Sequence, residues 1–351
     1  ITRAQPAAAP AAPAPAAASG PASDLQAIMV DRYARHAAQA SGVYHSQQSF
    51  TVVVPALDAD RLARCFEREC RDDPNFWTRF DASAAGLVRV RDAAPLVELV
   101  ARDLSALAAD DQAAQVGAHE RADLARAFEP LRAGAALTRV AVFRLAADAA
   151  RVVLSTHHAV HDGWGLQRFV KRVLDAYLCA DLADRGAPGP AAADRPDPFA
   201  GYVALQRRAL ADPAEVAYWA AYPIAPGSLV PVARPVAAAF AEEASPLPAA
   251  VIGRVIDAAR AAKIQTKAVF LAAALEAIAE VMGLAEVTLG VVVNGRVAEL
   301  PDTLEATGLY WNLQPFTQRA AAAATRAVRD IHDRVLVEDG HARYPLSAIL
   351  A

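Results

Sequence analysis

The spacing of apolar residues along the chain predicts a mixture of helices and strands. Apolar residues three or four positions apart predict amphipathic helices at 24–39, 58–73 and 165–180, near 199–222 and 264–283, and at 320–336. Segments rich in β-branched and aromatic residues predict strands at 45–57, 136–145, 151–156 and 286–294. Asp58 stands where the N-cap of the second helix is expected, and the polar turn around Asp148 predicts a hairpin of two strands.

Two segments with few residues to bury divide this pattern. Residues 1–21 consist mainly of alanine and proline, a composition typical of an extended, semi-rigid linker. Residues 181–198 are rich in proline, glycine and aspartate, and they predict a second linker. We therefore expect two mixed α/β lobes, at 22–180 and 199–351, and we expect the chain to be part of a longer multidomain polypeptide.

Composition narrows the classes of function. The chain has 351 residues, of which 55% are hydrophobic and 21% charged, as in globular proteins. A net charge of -4 and the lack of a long basic run argue against a nucleic-acid partner. The apolar segment 266–283 carries three charged residues, which argues against a membrane span and predicts a buried helix. The three cysteines match no metal-ligand spacing, and their odd number favours reduced thiols in a cytoplasmic protein.

The sequence STHHAVHDGWG, residues 155–165, is the main candidate for a reaction centre. It follows a predicted strand and precedes a predicted helix, in a loop where side chains are often held rigidly and remain accessible. A neutral imidazole from one of its three histidines could accept a proton from an amine or a hydroxyl near pH 7. Asp162 could orient a histidine or anchor the loop through an ion pair, and Gly163 would permit close approach of a substrate.

Other chemistries fit this stretch less well. Adjacent His157 and His158 would point to opposite faces of a strand, which argues against a shared metal ion. Ser155 is not part of the GxSxG turn of serine hydrolases, and no GxGxxG loop for a nucleotide is present in VVVNGRV. The residue chemistry alone leaves a catalytic loop and a purely structural polar loop equally open.

A family resemblance favours the catalytic interpretation. His157-His158-Ala159-Val160-His161-Asp162-Gly163 matches the HHxxxDG signature of the condensation-domain superfamily of nonribosomal peptide synthetases, which includes chloramphenicol acetyltransferase-like acyltransferases. Further segments resemble other motifs of the family, in the family's order, at 23–50, FWTRF (76–80), FAGYVALQ (199–206), TGLYWNLQPF (307–316) and HARYPL (341–346). The resemblance covers about 22–351 and implies a mixed α/β fold of two acetyltransferase-like lobes, in a V-shaped arrangement with a central tunnel.

The resemblance also implies a reaction and a role for each residue of the motif. It implies transfer of an acyl group from a carrier-protein thioester to the amine of a carrier-bound acceptor, which forms an amide. The second motif histidine, His158, would meet the substrates in the tunnel, and the backbone N–H of Gly163 would help to hold the oxyanion. His157 and Asp162 would be structural, with Asp162 paired to an arginine. No directly bound cofactor or metal is implied, because phosphopantetheine on donor and acceptor carrier proteins presents the substrates.

The second motif departs from the family pattern. It normally begins Arg-His-Glu and ends Leu-Arg-Thr, whereas the corresponding residues here are Asp72, Asp73 and Pro74, followed by Phe76, Trp77 and Thr78. The expected arginine partner of Asp162 is therefore missing. Arg71, one residue out of register, or Arg296 could replace it, and we prefer Arg296. The chain also stops shortly after the sixth motif, without the final strands expected of a complete domain.

Three more residues are candidates for the tunnel wall, and two other functions stay open. The candidates are Trp164, Tyr310 and Asn312, although Tyr310 could be a core residue and Asn312 a buried amide that ties two strands together. An ester-forming or chain-releasing domain with a hydroxyl acceptor would use His158 in the same way. A degenerate domain that only recruits partners would explain the missing arginine, but the intact histidine pair argues against it.

Overall fold

The computed structural model describes residues 17–36, 44–84, 86–179, 197–224, 245–297, 299–300, 302–319 and 324–351. It divides into two compact units, Ile1–Ala204 with Arg296–Tyr310, and Leu205–Gly295 with Trp311–Ala351. The predicted lobes, 22–180 and 199–351, differ from this division because 199–204 and 296–310 pack with the first unit. Most of the predicted linker 181–198 lies outside the described residues.

The elements follow one another in this order: β1 (Ala17–Pro21), α1 (Asp24–His36), β2 (His45–Val53), α2 (Ala59–Asp72), a 3₁₀ turn (Pro74–Trp77), β3 (Thr78–Ser83), β4 (Gly86–Arg91), β5 (Val97–Asp103), α3 (Ala109–Ala125), β6 (Thr138–Arg144), β7 (Ala149–His157), α4 (Gly163–Leu178), α5 (Pro198–Ala211), α6 (Pro213–Ala220), α7 (Ala249–Ala261), α8 (Thr266–Met282), β8 (Glu286–Asn294), β9 (Trp311–Arg319), α9 (Ala324–Gly340) and α10 (Leu346–Ile349). The predicted mixed α/β class is confirmed.

A four-stranded sheet in the order β2-β7-β6-β5 forms the centre of the first unit. The predicted hairpin is present, because β6 and β7 are antiparallel and the N–H of Leu145 donates to the carbonyl of Ala149 at 2.8 Å. β5 runs parallel to β6 at the sheet edge. β7 is a central strand whose last residue is His157, so the sheet fixes the start of the HHxxxDG segment.

Helices cover both faces of this sheet. α2 and α4 pack on one face around a core that includes Leu62, Phe66, Val152, Leu154 and Phe169. α3 packs on the other face, where Val116 contacts a smaller apolar cluster. α2 begins at the predicted N-cap, since Asp58 accepts a hydrogen bond from the N–H of Arg61 at 2.9 Å.

The end of the predicted N-terminal linker is a strand. β1 is antiparallel to β4, which also pairs with β3, and Gly20 lies opposite Arg89. The linker prediction is therefore wrong for residues 17–21. Pairing in a sheet uses backbone groups, so an alanine- and proline-rich composition does not reveal it.

In the second unit, β8 and β9 form an antiparallel ladder, and α8 and α9 pack on it. The predicted helix 266–283 corresponds to α8, which buries Ala268 and Leu275 on one side. On its other side Phe270 and Val281 are exposed, so α8 is amphipathic rather than wholly buried as predicted. Among the described residues, no helix is long and apolar enough to cross a membrane.

Candidate active site

The loop that carries the motif is fixed by backbone hydrogen bonds at its start. The N–H of His157 donates to the carbonyl of Leu137 at 3.0 Å, and the N–H of His158 donates to the carbonyl of Tyr44 at 2.7 Å. The next turn leads into α4, which begins at Gly163. The strands of the first unit therefore hold the two adjacent histidines.

His157 is a buried residue of the first unit. Its ring meets those of Tyr33 and Phe128 edge to face, with centroids 5.3 and 6.1 Å away. Its Nδ1 accepts a hydrogen bond from the N–H of Ala159 at 3.2 Å. Burial lowers the pKa of His157 to about 3, and nearby histidines add to this effect. The ring is therefore neutral at pH 7 and supports the loop.

His161 is also buried, at a position that the family motif leaves unspecified. Its Nδ1 lies 3.3 Å from Nδ2 of Asn75, and its Nε2 lies 3.5 Å from Oγ1 of Thr138. The ring of Phe76 packs against it, with centroids 4.5 Å apart. Burial is the main cause that lowers the pKa of His161 to about 3. His161 is thus a second neutral support of the loop.

His158 differs from the other two histidines because its side chain is partly exposed. Gly163, five residues further along the chain, is exposed, and a Cβ built on it would meet no heavy atom within 4 Å. The two residues assigned to catalysis by resemblance are therefore the accessible members of the motif.

Asp162 ties the loop to the segment 296–310 of the same unit. It is the N-cap of α4 and accepts a hydrogen bond from the N–H of Gly165 at 2.7 Å. It also accepts two from Arg296, at 2.5 and 2.9 Å, and one from the N–H of Tyr310 at 2.9 Å. Its own N–H donates to the carbonyl of Gly308 at 2.9 Å. The carboxylate is occupied by donors, which suits an anchor and not a base.

Of the two arginines that the sequence left open, Arg296 is the one that pairs with Asp162. Both side chains are almost fully buried, 1% exposed for Arg296 and 2% for Asp162. Arg71 is half-exposed and lies 3.5 Å from Glu67. In the second motif, Trp77 is buried where the family has its second arginine, and its indole N–H donates to the carbonyl of Arg71 at 3.1 Å. The bidentate, charge-assisted geometry explains why an arginine suits this place.

Two of the candidate tunnel residues have different surroundings. Trp164 is 47% exposed, and its indole N–H donates to the carbonyl of Leu304 at 2.9 Å. Tyr310 is fully buried, with its ring 5.0 Å from that of Phe199 and the Arg296 guanidinium 4.5 Å from its centroid. Tyr310 is therefore a core residue of the first unit, whereas Trp164 still fits a substrate wall.

The third candidate, Asn312, is fully buried in the second unit. Its Nδ2 donates to the carbonyls of Ala342 and Tyr344, at 3.1 and 2.7 Å. Its Oδ1 accepts from the N–H of Leu313 at 2.9 Å. All of these partners are backbone groups, so the contacts match the alternative in which the amide ties segments together rather than the tunnel-wall assignment.

Gly165 is a residue of the site that the sequence analysis missed. A Cβ there would lie 3.1 Å from Nη2 of Arg296 and from Cα of Thr307, and 3.2 Å from Oδ1 of Asp162. Glycine is needed because the buried ion pair passes so close to the helix. The second glycine of DGWG was a visible signal, but the partner segment 296–310 was not apparent from the sequence.

Acid–base and hydrogen-bonding chemistry is what the described residues of the site offer. No group of three or more histidine, cysteine or acidic residues with the geometry to hold a metal ion occurs in the described part of the chain. The accessible groups are an imidazole and the first turn of a helix, where N–H groups are available to an anion.

Comparison with known proteins places this arrangement in a family. The sequence profile described as Condensation domain matches residues 23–351. The chain is 32% identical over 215 residues to the AMB antimetabolite synthetase AmbE of Pseudomonas aeruginosa, covering 58% of this chain and 10% of AmbE. It is 28% identical over 236 residues to a linear gramicidin synthase of Brevibacillus parabrevis, covering 65% of this chain and 3% of that synthase. The chain thus spans a tenth or less of these curated relatives.

A solved structure shows the same fold. The condensation domain of the Monacolin K polyketide synthase MokA superposes with a TM-score of 0.73 at 21% identity, over 95% of this chain and 76% of that one. Condensation domains of synthetases are acyltransferases that form amide or ester bonds. The match of the profile over nearly the whole chain, together with the shared fold, establishes that this chain belongs to the condensation-domain family of nonribosomal peptide and polyketide synthetases.

Proposed function

We propose that the chain transfers an acyl group from a carrier-bound thioester to the amine of a carrier-bound acceptor, with His158 as its catalytic imidazole. The environment of the three motif histidines carries this proposal. His157 and His161 are buried and neutral, whereas His158 is partly exposed and is followed by the exposed Gly163. Membership in a family of acyltransferases supplies the reaction class.

The reaction needs one proton transfer from the acceptor and one to the leaving group. The acceptor nitrogen attacks the thioester carbonyl carbon, the carbon–sulfur bond breaks, and the nitrogen loses a proton while the departing sulfur gains one. We assign to His158 the removal of the proton from nitrogen and its return to sulfur. The N–H of Gly163, in the first turn of α4, would bind the oxygen that becomes negative in the tetrahedral intermediate.

Asp162 takes an anchoring role in this proposal. Its oxygens accept hydrogen bonds from Arg296, Gly165 and Tyr310, so it orients the start of α4 and does not exchange protons with substrate. The missing arginine of the second motif was the reason to consider a degenerate, partner-recruiting domain. Arg296 fills that place, and we therefore favour an active enzyme.

The partners follow from the kind of protein in which relatives occur. Because the chain spans a small part of multidomain synthetases, we infer that its substrates arrive on phosphopantetheine of donor and acceptor carrier proteins. We assign no metal and no diffusible cofactor to the reaction. The free thiols of Cys65, Cys70 and Cys179 agree with the cytoplasmic location expected from the sequence.

The test is a reconstituted transfer reaction. An acyl-loaded donor carrier protein and an aminoacyl-loaded acceptor carrier protein are mixed with the protein, and intact-protein mass spectrometry follows the mass of each carrier. We expect the acyl mass to move to the acceptor. His158→Ala should lower turnover by about 10² to 10⁴, the usual effect of losing a general base. Prior treatment with a chelator should leave turnover unchanged.

The control is His341→Ala, which removes a part-exposed histidine of the second unit that lies 2.9 Å from Glu215. It should keep wild-type turnover. A His158→Ala protein with wild-type turnover would contradict the catalytic assignment. A hydroxyacyl-loaded acceptor carrier, tested in parallel, would identify an ester-forming enzyme if it reacts and the aminoacyl carrier does not.

A further inference from the structure

A cluster of charged and polar side chains holds the segment 302–307 against α2 and α4, away from the HHxxxDG loop. We call it the clamp, and its members are Asp73, Arg168, Arg172, Glu305 and Thr307. The hydroxyl of Thr307 lies 2.8 and 2.9 Å from the two carboxylate oxygens of Asp73. Arg172 donates to Asp73 at 2.6 Å and to the carbonyl of Glu305 at 2.8 Å. Arg168 forms a bidentate pair with the Glu305 carboxylate.

The clamp joins the same two pieces of chain as the Asp162–Arg296 pair. Arg168 and Arg172 are four residues apart on α4, so they lie on one face of the helix whose N-cap is Asp162. Glu305 and Thr307 belong to the segment that begins at Arg296. The start of α4 and the segment 296–310 are thus connected twice, at the N-cap and one to two turns further along the helix.

Burial separates the strong part of the clamp from the weak part. The side chains of Asp73 and Arg172 are 14% and 29% exposed, and Arg172 also lies 3.3 Å from Glu69. The Glu305 carboxylate is 57% exposed, and an ion pair so open to solvent contributes little. Asp73, Arg172 and Thr307 are therefore the members that fix the segment.

We propose, on the basis of the acyl-transfer function proposed above, that Asp73 and Arg172 are positioning residues that set the catalytic loop through Thr307 and Arg296. Asp73 stands where the second motif of the family has its histidine, and it replaces that motif's contact with one made by α2, α4 and a distant segment. Displacement of Thr307 moves the neighbouring Gly308 and Tyr310, whose backbone groups bind Asp162. The clamp thereby controls the orientation of the loop that carries His158.

Matched substitutions separate the hydroxyl and the charge from the shape of the clamp. Thr307→Val removes the hydroxyl at constant shape, whereas Thr307→Ser keeps it. Asp73→Asn keeps an acceptor for Thr307 and for the N–H of Asn75 but removes the charge that faces Arg172. Lys171→Ala is the control, because this neighbouring residue of α4 pairs only with Asp175 among the contacts described.

The clamp predicts a loss of kcat with little change in KM for the acceptor carrier. Misplacement of a catalytic group by a fraction of an ångström to one ångström lowers turnover steeply, so we expect kcat to fall about 10- to 100-fold in Thr307→Val and Asp73→Asn. Thr307→Ser should recover most of the wild-type kcat, and Lys171→Ala should retain it. Equal kcat in Thr307→Val and Thr307→Ser would overturn the proposal, because a merely structural role would change melting temperature alone.

A second measurement does not depend on activity. Trp164 bonds to the carbonyl of Leu304 within the clamped segment, so the fluorine signal of protein labelled with 5-fluorotryptophan reports the position of that segment. The Trp164 signal, assigned with Trp164→Phe, should shift in Thr307→Val and Asp73→Asn and stay in place in Thr307→Ser and Lys171→Ala. An unmoved signal in both clamp variants would overturn the proposal. Absence of turnover in the wild-type protein would contradict the acyl-transfer function and leave this measurement valid.

Discussion

Three histidines within five residues have different properties because of their neighbours. His157 and His161 are enclosed by aromatic and amide side chains, and burial lowers the pKa of each to about 3. His158, between them in sequence, keeps a partly exposed ring. The family motif singled out His158, but it gave no reason to expect that His161 supports the loop. That support depends on Asn75 and Thr138, which are distant in sequence.

The two glycines of DGWG provide a prediction at the same scale. Gly165→Ala should lower both the melting temperature and turnover, because the new Cβ would crowd Thr307 Cα and the Arg296 guanidinium at 3.1 Å. Overpacking costs about 1–3 kcal/mol, and the better helix propensity of alanine offsets up to about 1 kcal/mol of it. Thermal unfolding and single-turnover rates measure the two effects.

Gly163→Ala is the matched comparison, since nothing in the protein lies within 4 Å of the added Cβ. Its melting temperature should stay at or slightly above that of the wild-type protein. Its turnover should fall if substrate approaches the backbone at Gly163 as proposed. A Gly165→Ala protein as stable as wild type would show that the ion pair and helix can separate without cost.

At the scale of elements, strong patterns in the sequence predicted what the structure contains. The β6–β7 hairpin, α2 with its Asp58 cap, α8 and β8 agree with their predictions within a few residues. β5 and α3 were not predicted, because β5 is a largely exposed edge strand and α3 buries only Val116 and Asp123. Without an apolar face of regular period, neither element has a signal that local sequence can reveal.

The tie between β9 and the segment 342–344 gives a prediction for an element. Asn312→Asp places a carboxylate against the carbonyls of Ala342 and Tyr344, which now accept hydrogen bonds from Nδ2 at 3.1 and 2.7 Å. We expect a loss of about 2–4 kcal/mol in the free energy of unfolding, because buried acceptors lose their donor and face a charge. Denaturant titration measures this loss.

The control on the same strand is Gln318→Glu. Its Oε1 accepts from Arg334 at 3.0 Å, so the same amide-to-acid change meets a positive partner there and should be close to neutral. Equal effects of Asn312→Asp and Gln318→Glu would contradict the role of Asn312 as a tie between segments.

At the scale of the molecule, the sequence predicted two contiguous lobes, whereas the structure assigns 296–310 to the first unit. This segment follows β8 of the second unit and returns to bind Asp162, Asp73 and Arg172. Pattern and composition describe local structure, and contacts between residues more than 100 positions apart leave no periodic trace. The family motif located the loop, but the chain-specific clamp and Gly165 required the three-dimensional contacts.

The buried histidines predict how the stability of the first unit depends on pH. Their folded pKa values, about 3 for both His157 and His161, lie below the unfolded value of about 6.5. The unfolded chain therefore binds more protons between these pH values, and stability falls as pH drops from about 6.5. Each histidine contributes up to about 1.4 kcal/mol per pH unit, and His119, whose pKa burial also lowers, acts in the same direction.

Urea unfolding at pH 7.5, 6.5, 5.5 and 4.5 measures this dependence before the carboxylates of the unfolded chain, with pKa near 4, begin to titrate. Between pH 6.5 and 4.5 the free energy of unfolding should fall steeply in the wild-type protein. His161→Gln removes one of the titrating groups, so it should be less stable at pH 7.5 and lose less stability on acidification. A wild-type protein equally stable at pH 7.5 and 4.5 would mean that His157 and His161 exchange protons freely in the folded state. The loop would then be open to water, and His158 would lose its distinction as the accessible imidazole.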